Sequence, residues 1–236
     1  MNIQRITNFT TFKSSYQDSG YDDPFFQSVR NAIRKHYAKW HMPQQDIFEK
    51  EHKLTDYEIL HIINNLEKYH EMQKIEGTNI YRGQTLVDKT DCLQALSAKG
   101  IKTVIDLVDY GDSYKQAIKK AGMDYFAYNI YSNWWDLSYL ETPKIPKLIE
   151  FLKKMQEDNI YIGCQHGSND TDVAFILNEF FNPKLEGKAK TKIPPNDSDF
   201  PLKLNLIYDA LKPEDKKLLG WTKEFEQRLV KKLISI

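Results

Sequence analysis

From Asn79 onward the chain alternates short runs rich in β-branched and aromatic residues with stretches that carry apolar side chains at helical spacing. The runs are Ile80-Tyr81, Thr103-Val104-Ile105-Asp106-Leu107, Tyr125-Phe126-Ala127-Tyr128 and Ile160-Tyr161-Ile162. Few folds accept this pattern, because a chain that returns to a strand after each helix builds an α/β sheet with helices packed on it. The helix between the last two runs is predicted to have Thr142 as its cap and Pro143 at its first position, with Ile145, Leu148, Ile149, Leu152 and Met155 on one face. Another helix is predicted from near Thr171, with Val173, Ile176, Leu177 and Phe180 inward. A Lys/Pro/Asp-rich loop follows between Asn182 and Pro201, and two or three short helices broken near Gly220 finish the chain.

Residues 1–76 read as a helical N-terminal extension packed on that core, residues 77–181 as the core, and residues 182–236 as a basic loop and C-terminal helices of the same domain. Within the extension a segment around Phe25 to Lys39 is helical in pattern, and a clearer helix starts at Thr55. Thr55-Asp56-Tyr57-Glu58 is a capping box, in which the Thr hydroxyl and the Glu carboxylate satisfy free N–H groups at a helix start. Ile59, Leu60, Ile62, Ile63, Leu66, Tyr69 and Met72 then supply one apolar stripe. Five of the six histidines (His36, His41, His52, His61 and His70) fall in this extension. His52, His61 and His70 are nine residues apart, which on a helix sets successive rings on opposite sides, so no metal site is expected there.

Lys+Arg 33 balance Asp+Glu 33, which argues against a generic polyanion binder and against a nucleic-acid partner. Two cysteines, Cys92 and Cys164, are too few for a disulfide scaffold and fit a reducing compartment. The polar start MNIQRITNFTTF has no signal-peptide core, and no apolar run approaches the ~20 residues that span a bilayer. A cytoplasmic protein without stable membrane insertion and without a cofactor is expected. High Lys, Asn and Ile usage suits an A/T-rich bacterial genome, and delivery into a host cell without such a peptide is compatible with it.

The segment Ile160-Tyr161-Ile162-Gly163-Cys164-Gln165-His166-Gly167-Ser168-Asn169-Asp170-Thr171-Asp172 reads as a strand ending in a cysteine, a short polar loop and a helix start. That is the layout of an anion cradle, because N–H groups of a tight loop point inward at a helix N-terminus and the helix dipole adds partial positive charge. A cysteine on such a rim can have its pKa lowered from about 8.5 and act as a nucleophile.

The stretch resembles the phosphate-binding loop of the cysteine-dependent protein tyrosine phosphatases, especially the dual-specificity-like bacterial members, whose signature is His-Cys, five residues, Arg, then Ser or Thr. Cys164 falls on the nucleophile, Gln165, His166, Gly167, Ser168 and Asn169 fill the five intervening positions, and Thr171 falls on the hydroxyl that assists the leaving thiolate. Ile80-Tyr81-Arg82-Gly83-Gln84 resembles the strand with which the family's core opens, Lys99 to Leu107 resembles its next strand, and Ala121-Gly122-Met123-Asp124-Tyr125 resembles the approach to its acid loop. The resemblance runs from about Asn79 to Phe181, and it implies a phosphatase-like central mixed or parallel sheet flanked by helices, with extra N- and C-terminal helices. In that family a loop aspartate protonates the leaving oxygen. The stretch Ser132-Asn133-Trp134-Trp135-Asp136 lies where such a loop is expected, and Asp136, 28 residues before Cys164, is the candidate acid.

Two departures bear on function. The family's Arg position is Asp170 here, and the His before the nucleophile is Gly163. That arginine grips two phosphate oxygens in a bidentate fork. Losing such a buried partner costs about 2–5 kcal/mol. A carboxylate in its place adds repulsion of about 4 kcal/mol per charge pair at 4 Å and an effective ε of 20, and it disfavours the Cys164 thiolate. Only five arginines occur, and none lies between Gly83 and Gln227, so a compensating guanidinium has to come from Arg82 or Arg228. Lys184, Lys188, Lys190 and Lys192 follow the loop's helix, but an ammonium lacks the fork. The expected function is therefore a catalytically impaired pseudophosphatase that binds a protein partner or a phosphorylated ligand. The alternatives are a weak cysteine phosphatase acting on phosphoprotein or phosphoinositide through a phosphocysteine, and a hydrolase that pairs Cys164 with His166 on a non-phosphate substrate.

Overall fold

Strands β5 (Ile160–Cys164) and β3 (Thr103–Asp106) are buried along their whole length, as parallel strands covered on both faces must be. The computed structural model describes residues 53–134, 137, 143–188 and 199–235. The predicted helix around Phe25 to Lys39, together with His36, His41, His52, Asp136, Thr142, Lys190 and Lys192, lies outside the described residues. Residues 54–236 form one compact unit, so the capped helix α1 (Asp56–Tyr69) belongs with the sheet.

The remaining elements in chain order are β1 (Gln73–Lys74), β2 (Ile80–Gln84), α2 (Thr90–Ala98), β3, α3 (Asp112–Lys120), β4 (Asp124–Ala127), α4 (Ile130–Asn133), α5 (Ile145–Lys154), β5, α6 (Asn169–Phe181), α7 (Phe200–Ala210), α8 (Pro213–Leu218) and α9 (Lys223–Ile234). The sheet order is β1-β2-β5-β3-β4; β1 runs antiparallel to β2 and every other pair is parallel. The fold is thus an α/β architecture with a five-stranded, mostly parallel sheet flanked by helices. No helix among the described residues is long and apolar enough to cross a membrane.

The first half of the chain moves outward along the sheet, from β2 to β3 to β4, and its helices α1, α2 and α3 pack successively on one another. The chain then returns through α5 to the centre at β5, and α5 packs with α6. Side chains of Ile80, Ile105, Ile160, Ile162 and Cys164 join those of α5, α6, α7 and α9 in one core cluster, while neighbours such as Val104 and Tyr161, which are paired in register, are buried outside that cluster. Period-two alternation along the strands produces this division.

Local details differ from the sequence reading in three places. In α1 the buried stripe is Ile62, Ile63 and Leu66, continued beyond the helix by Met72, whereas Leu60 and Tyr69 are exposed. Leu60 is one position out of phase with the 3.6-residue period that sets the stripe. Helix α5 starts at Ile145 after Lys144, and Pro146 occupies its first turn in place of Pro143. Either proline suits a position where the N–H has no partner, and the second one takes it. Helix α6 starts at Asn169, two residues before the expected Thr171, and Val173, Ile176, Leu177 and Phe180 are buried as expected.

Candidate functional site

Cys164 is the last residue of the central strand, and β5 delivers it to the carboxyl edge of the sheet, where α6 begins four residues after the loop opens. The fold therefore aims the first-turn N–H groups of α6 at the strand end, which is how open α/β sheets build anion sites. The N–H of Gly167 donates to Cys164 Sγ at 3.2 Å, and the backbone N–H groups of His166 and Thr171 also face the sulfur.

Gly167 makes this turn possible. Its φ is +70°, and a Cβ there would lie 2.8 Å from both Gln84 N and Gly83 C, so the loop lies directly on the end of β2. Gly163, at the family's histidine position, is also close-packed: its absent Cβ would sit 3.4 Å from Thr85 Cα. Thr85 N–H donates to Cys164 O at 2.7 Å, and this bond draws the chain after β2 close to the site.

Cys164 is 1 % exposed, and Asp170 is buried at 8 %. Burial first, and then the Asp170 carboxylate, push the Cys164 thiol above the ordinary thiol range, against the opposing pull of the three N–H groups. The N–H groups that face Sγ are thus opposed by a carboxylate, whose charge has the wrong sign for a thiolate. Gln165, His166 and Asn169 are exposed and Ser168 is half-buried; what His166 turns to the sulfur is its backbone N–H.

Thr171 is fully buried, and its hydroxyl donates to Gly167 O at 2.9 Å and to Ser168 O at 2.6 Å. The sequence reading gave that hydroxyl to the leaving thiolate. The structure turns it to the loop carbonyls instead, because a side chain at the third position of a helix folds back on the preceding turn, and the Thr171 N–H meets the sulfur.

Among the described residues, the two candidate arginines are both paired with carboxylates. Arg228 forms a bidentate pair with Glu186, at 3.1 and 2.7 Å. Glu186, Lys184 and Lys188 all follow the far end of α6, about 18 Å of helix from the Cys164 loop. Arg82 does reach the loop, but it donates from one terminal nitrogen to Asp172 Oδ1 at 2.5 Å and from the other to Gly167 O at 3.2 Å.

Tyr131 was absent from the sequence reading. It lies on the single turn of α4 and is half-exposed, and Asp170, burial and Cys164, in that order, raise its phenol pKa. Tyr131 therefore comes near Asp170 and Cys164. Ser132 and Asn133 belong to α4, and the buried Trp134 packs under Lys203, whose Nζ lies 5.1 Å from the ring centroid. The only advance signal for Tyr131 was its position just ahead of the predicted acid loop.

No family model matches the chain, and no curated protein matches it. Among solved structures, the crystal structure of a protein described as a "Putative phosphatase (DUF442)" from Shewanella putrefaciens CN-32 is similar with a TM-score of 0.40 and 16 % identity, covering 71 % of this chain and 98 % of that one.

Proposed function

We propose that the chain is a phosphatase-like protein that has lost ordinary phosphoryl-transfer chemistry and acts by binding, as a pseudophosphatase, with a protein as its partner. The observation that carries the reading is Asp170, a buried carboxylate beside Cys164 in the position where the resembled family has its phosphate-gripping arginine. An oxyanion arriving over the N–H groups of His166, Gly167 and Thr171 meets a like charge, and the thiol beneath it is protonated at neutral pH. The guanidinium that reaches the loop is already shared between Asp172 and a carbonyl. In the family's scheme Cys164 is the nucleophile and Asp136 the acid; here neither role is expected to turn over phosphate.

The test is hydrolysis of an aryl phosphate by the full chain and by Cys164→Ser. No turnover above the Cys164→Ser background is expected. Hydrolysis abolished by that substitution would instead support the second reading, a weak cysteine phosphatase on phosphoprotein or phosphoinositide, which the convergence of three N–H groups on Sγ favours.

A further inference from the structure

Arg82 stands on β2 opposite Ile162 of β5, and residues paired in a parallel ladder share a face, so its side chain enters the layer covered by α6. There the guanidinium carbon lies 5.9 Å from the Phe175 ring centroid and the side chain is 13 % exposed. Its Nε is buried with no hydrogen-bond partner among the described residues, an unfavourable state for a charged group. Space-filling alone would be met by an apolar side chain. The charge is used at the two terminal nitrogens, which clamp Asp172 in the first turn of α6 and the carbonyl of Gly167 in the loop.

Gly167 O also accepts from the Thr171 hydroxyl, so two donors from different elements hold one carbonyl. In a trans peptide the C=O and the following N–H point in opposite directions. Fixing Gly167 O therefore fixes the plane of the Gly167–Ser168 peptide, which directly follows the N–H that donates to Sγ. A glycine at positive φ, with no Cβ to limit it, needs such an external hold.

We propose that Arg82 is a positioning residue that keeps the Cys164 loop folded as an N–H-lined cradle by clamping the Gly167 carbonyl and Asp172 from behind. The inference rests on the reading of the loop as a cradle and is independent of whether the protein turns over phosphate. A front arginine, at position 170 in the resembled family, would act on the ligand; Arg82 acts on the loop. The cradle thus keeps its shape after its ligand-gripping charge has been lost.

The test titrates the Cys164 thiolate by ultraviolet absorbance in the wild-type chain, Arg82→Met and Arg82→Lys, with Cys164→Ser subtracted to remove Cys92 and circular dichroism verifying the fold. Loss of a well-aimed N–H donor to an anion lowers the thiolate fraction at a given pH by about tenfold. Arg82→Met is expected to show that loss. Arg82→Lys keeps the charge but cannot hold two acceptors in a fork, so it is expected to fall between Met and wild type. Should Arg82→Met fail to fold, the lysine variant carries the test by itself. A lysine variant titrating like wild type would reduce Arg82 to its charge and overturn the clamp, and so would a folded methionine variant with an unshifted titration. Hydrolysis of aryl phosphate by the wild-type chain would overturn the proposed function and leave this result untouched.

Discussion

Gly167→Ala is the substitution whose cost can be worked most directly from the geometry. A residue with a Cβ held at φ +70° costs about 1–2 kcal/mol on conformational grounds. The new Cβ would also lie 2.8 Å from Gln84 N and Gly83 C and 3.1 Å from Glu71 Cβ. The first two are backbone atoms at the end of β2, so no rotamer change relieves the clash, and overpacking of this kind adds about 1–3 kcal/mol. A total of about 2–5 kcal/mol is a large share of the 5–15 kcal/mol that typically separates folded from unfolded domains. Gly100→Ala is the control, because Gly100 has φ +93° but nothing within 4 Å of its Cβ position, so it incurs only the conformational part. Urea unfolding of both variants isolates the clash as the difference between them. The loop in Gly167→Ala must also move off β2, separating the Gly167 N–H from Sγ and slowing Cys164 alkylation. Equal destabilisation of the two variants would refute the packing of the loop on β2.

Asp170→Asn removes the second-largest influence raising the Cys164 thiol, so Cys164 is expected to react faster with iodoacetamide at mildly alkaline pH, read by mass spectrometry of the labelled peptide. The same substitution is expected to lower the Tyr131 phenol pKa in a spectrophotometric titration, since Asp170 is the largest influence on it. Burial pushes the Cys92 thiol up from 9.0 to about 12. Folding keeps that proton, so stability is unaffected below pH 9.0 and falls as pH rises toward 12, where the unfolded chain ionises first. The full loss is about 4 kcal/mol, and Cys92→Ala is expected to flatten the onset of the alkaline decline in urea midpoints.

The strands and the cysteine loop were legible because both are local. β-rich runs bounded by helical periodicity, and a strand that ends in Cys164 before a helix, require no knowledge of what lies across the sheet. The role of Arg82 was not, because it depends on the register that sets Arg82 beside Ile162 and on the distance from residue 82 to the loop at residue 167. A helix start near Thr171 was legible, but the direction of its hydroxyl follows from its position in the first turn of α6, which begins at Asn169. Tyr131 approaches Asp170 through a single helical turn too short for periodicity to reveal. The proline shift in α5 reflects two equivalent helix-start signals three residues apart.

The central claim is that Asp170 reverses the charge of a loop that otherwise has the form of an anion cradle. Calorimetric titration of tungstate, a phosphate-shaped oxyanion, into the wild-type chain and into Asp170→Arg tests it most directly. No binding to the wild-type chain and a new, Cys164-dependent binding isotherm in Asp170→Arg are predicted. Tungstate binding to the wild-type chain that Asp170→Arg leaves unchanged would contradict the account.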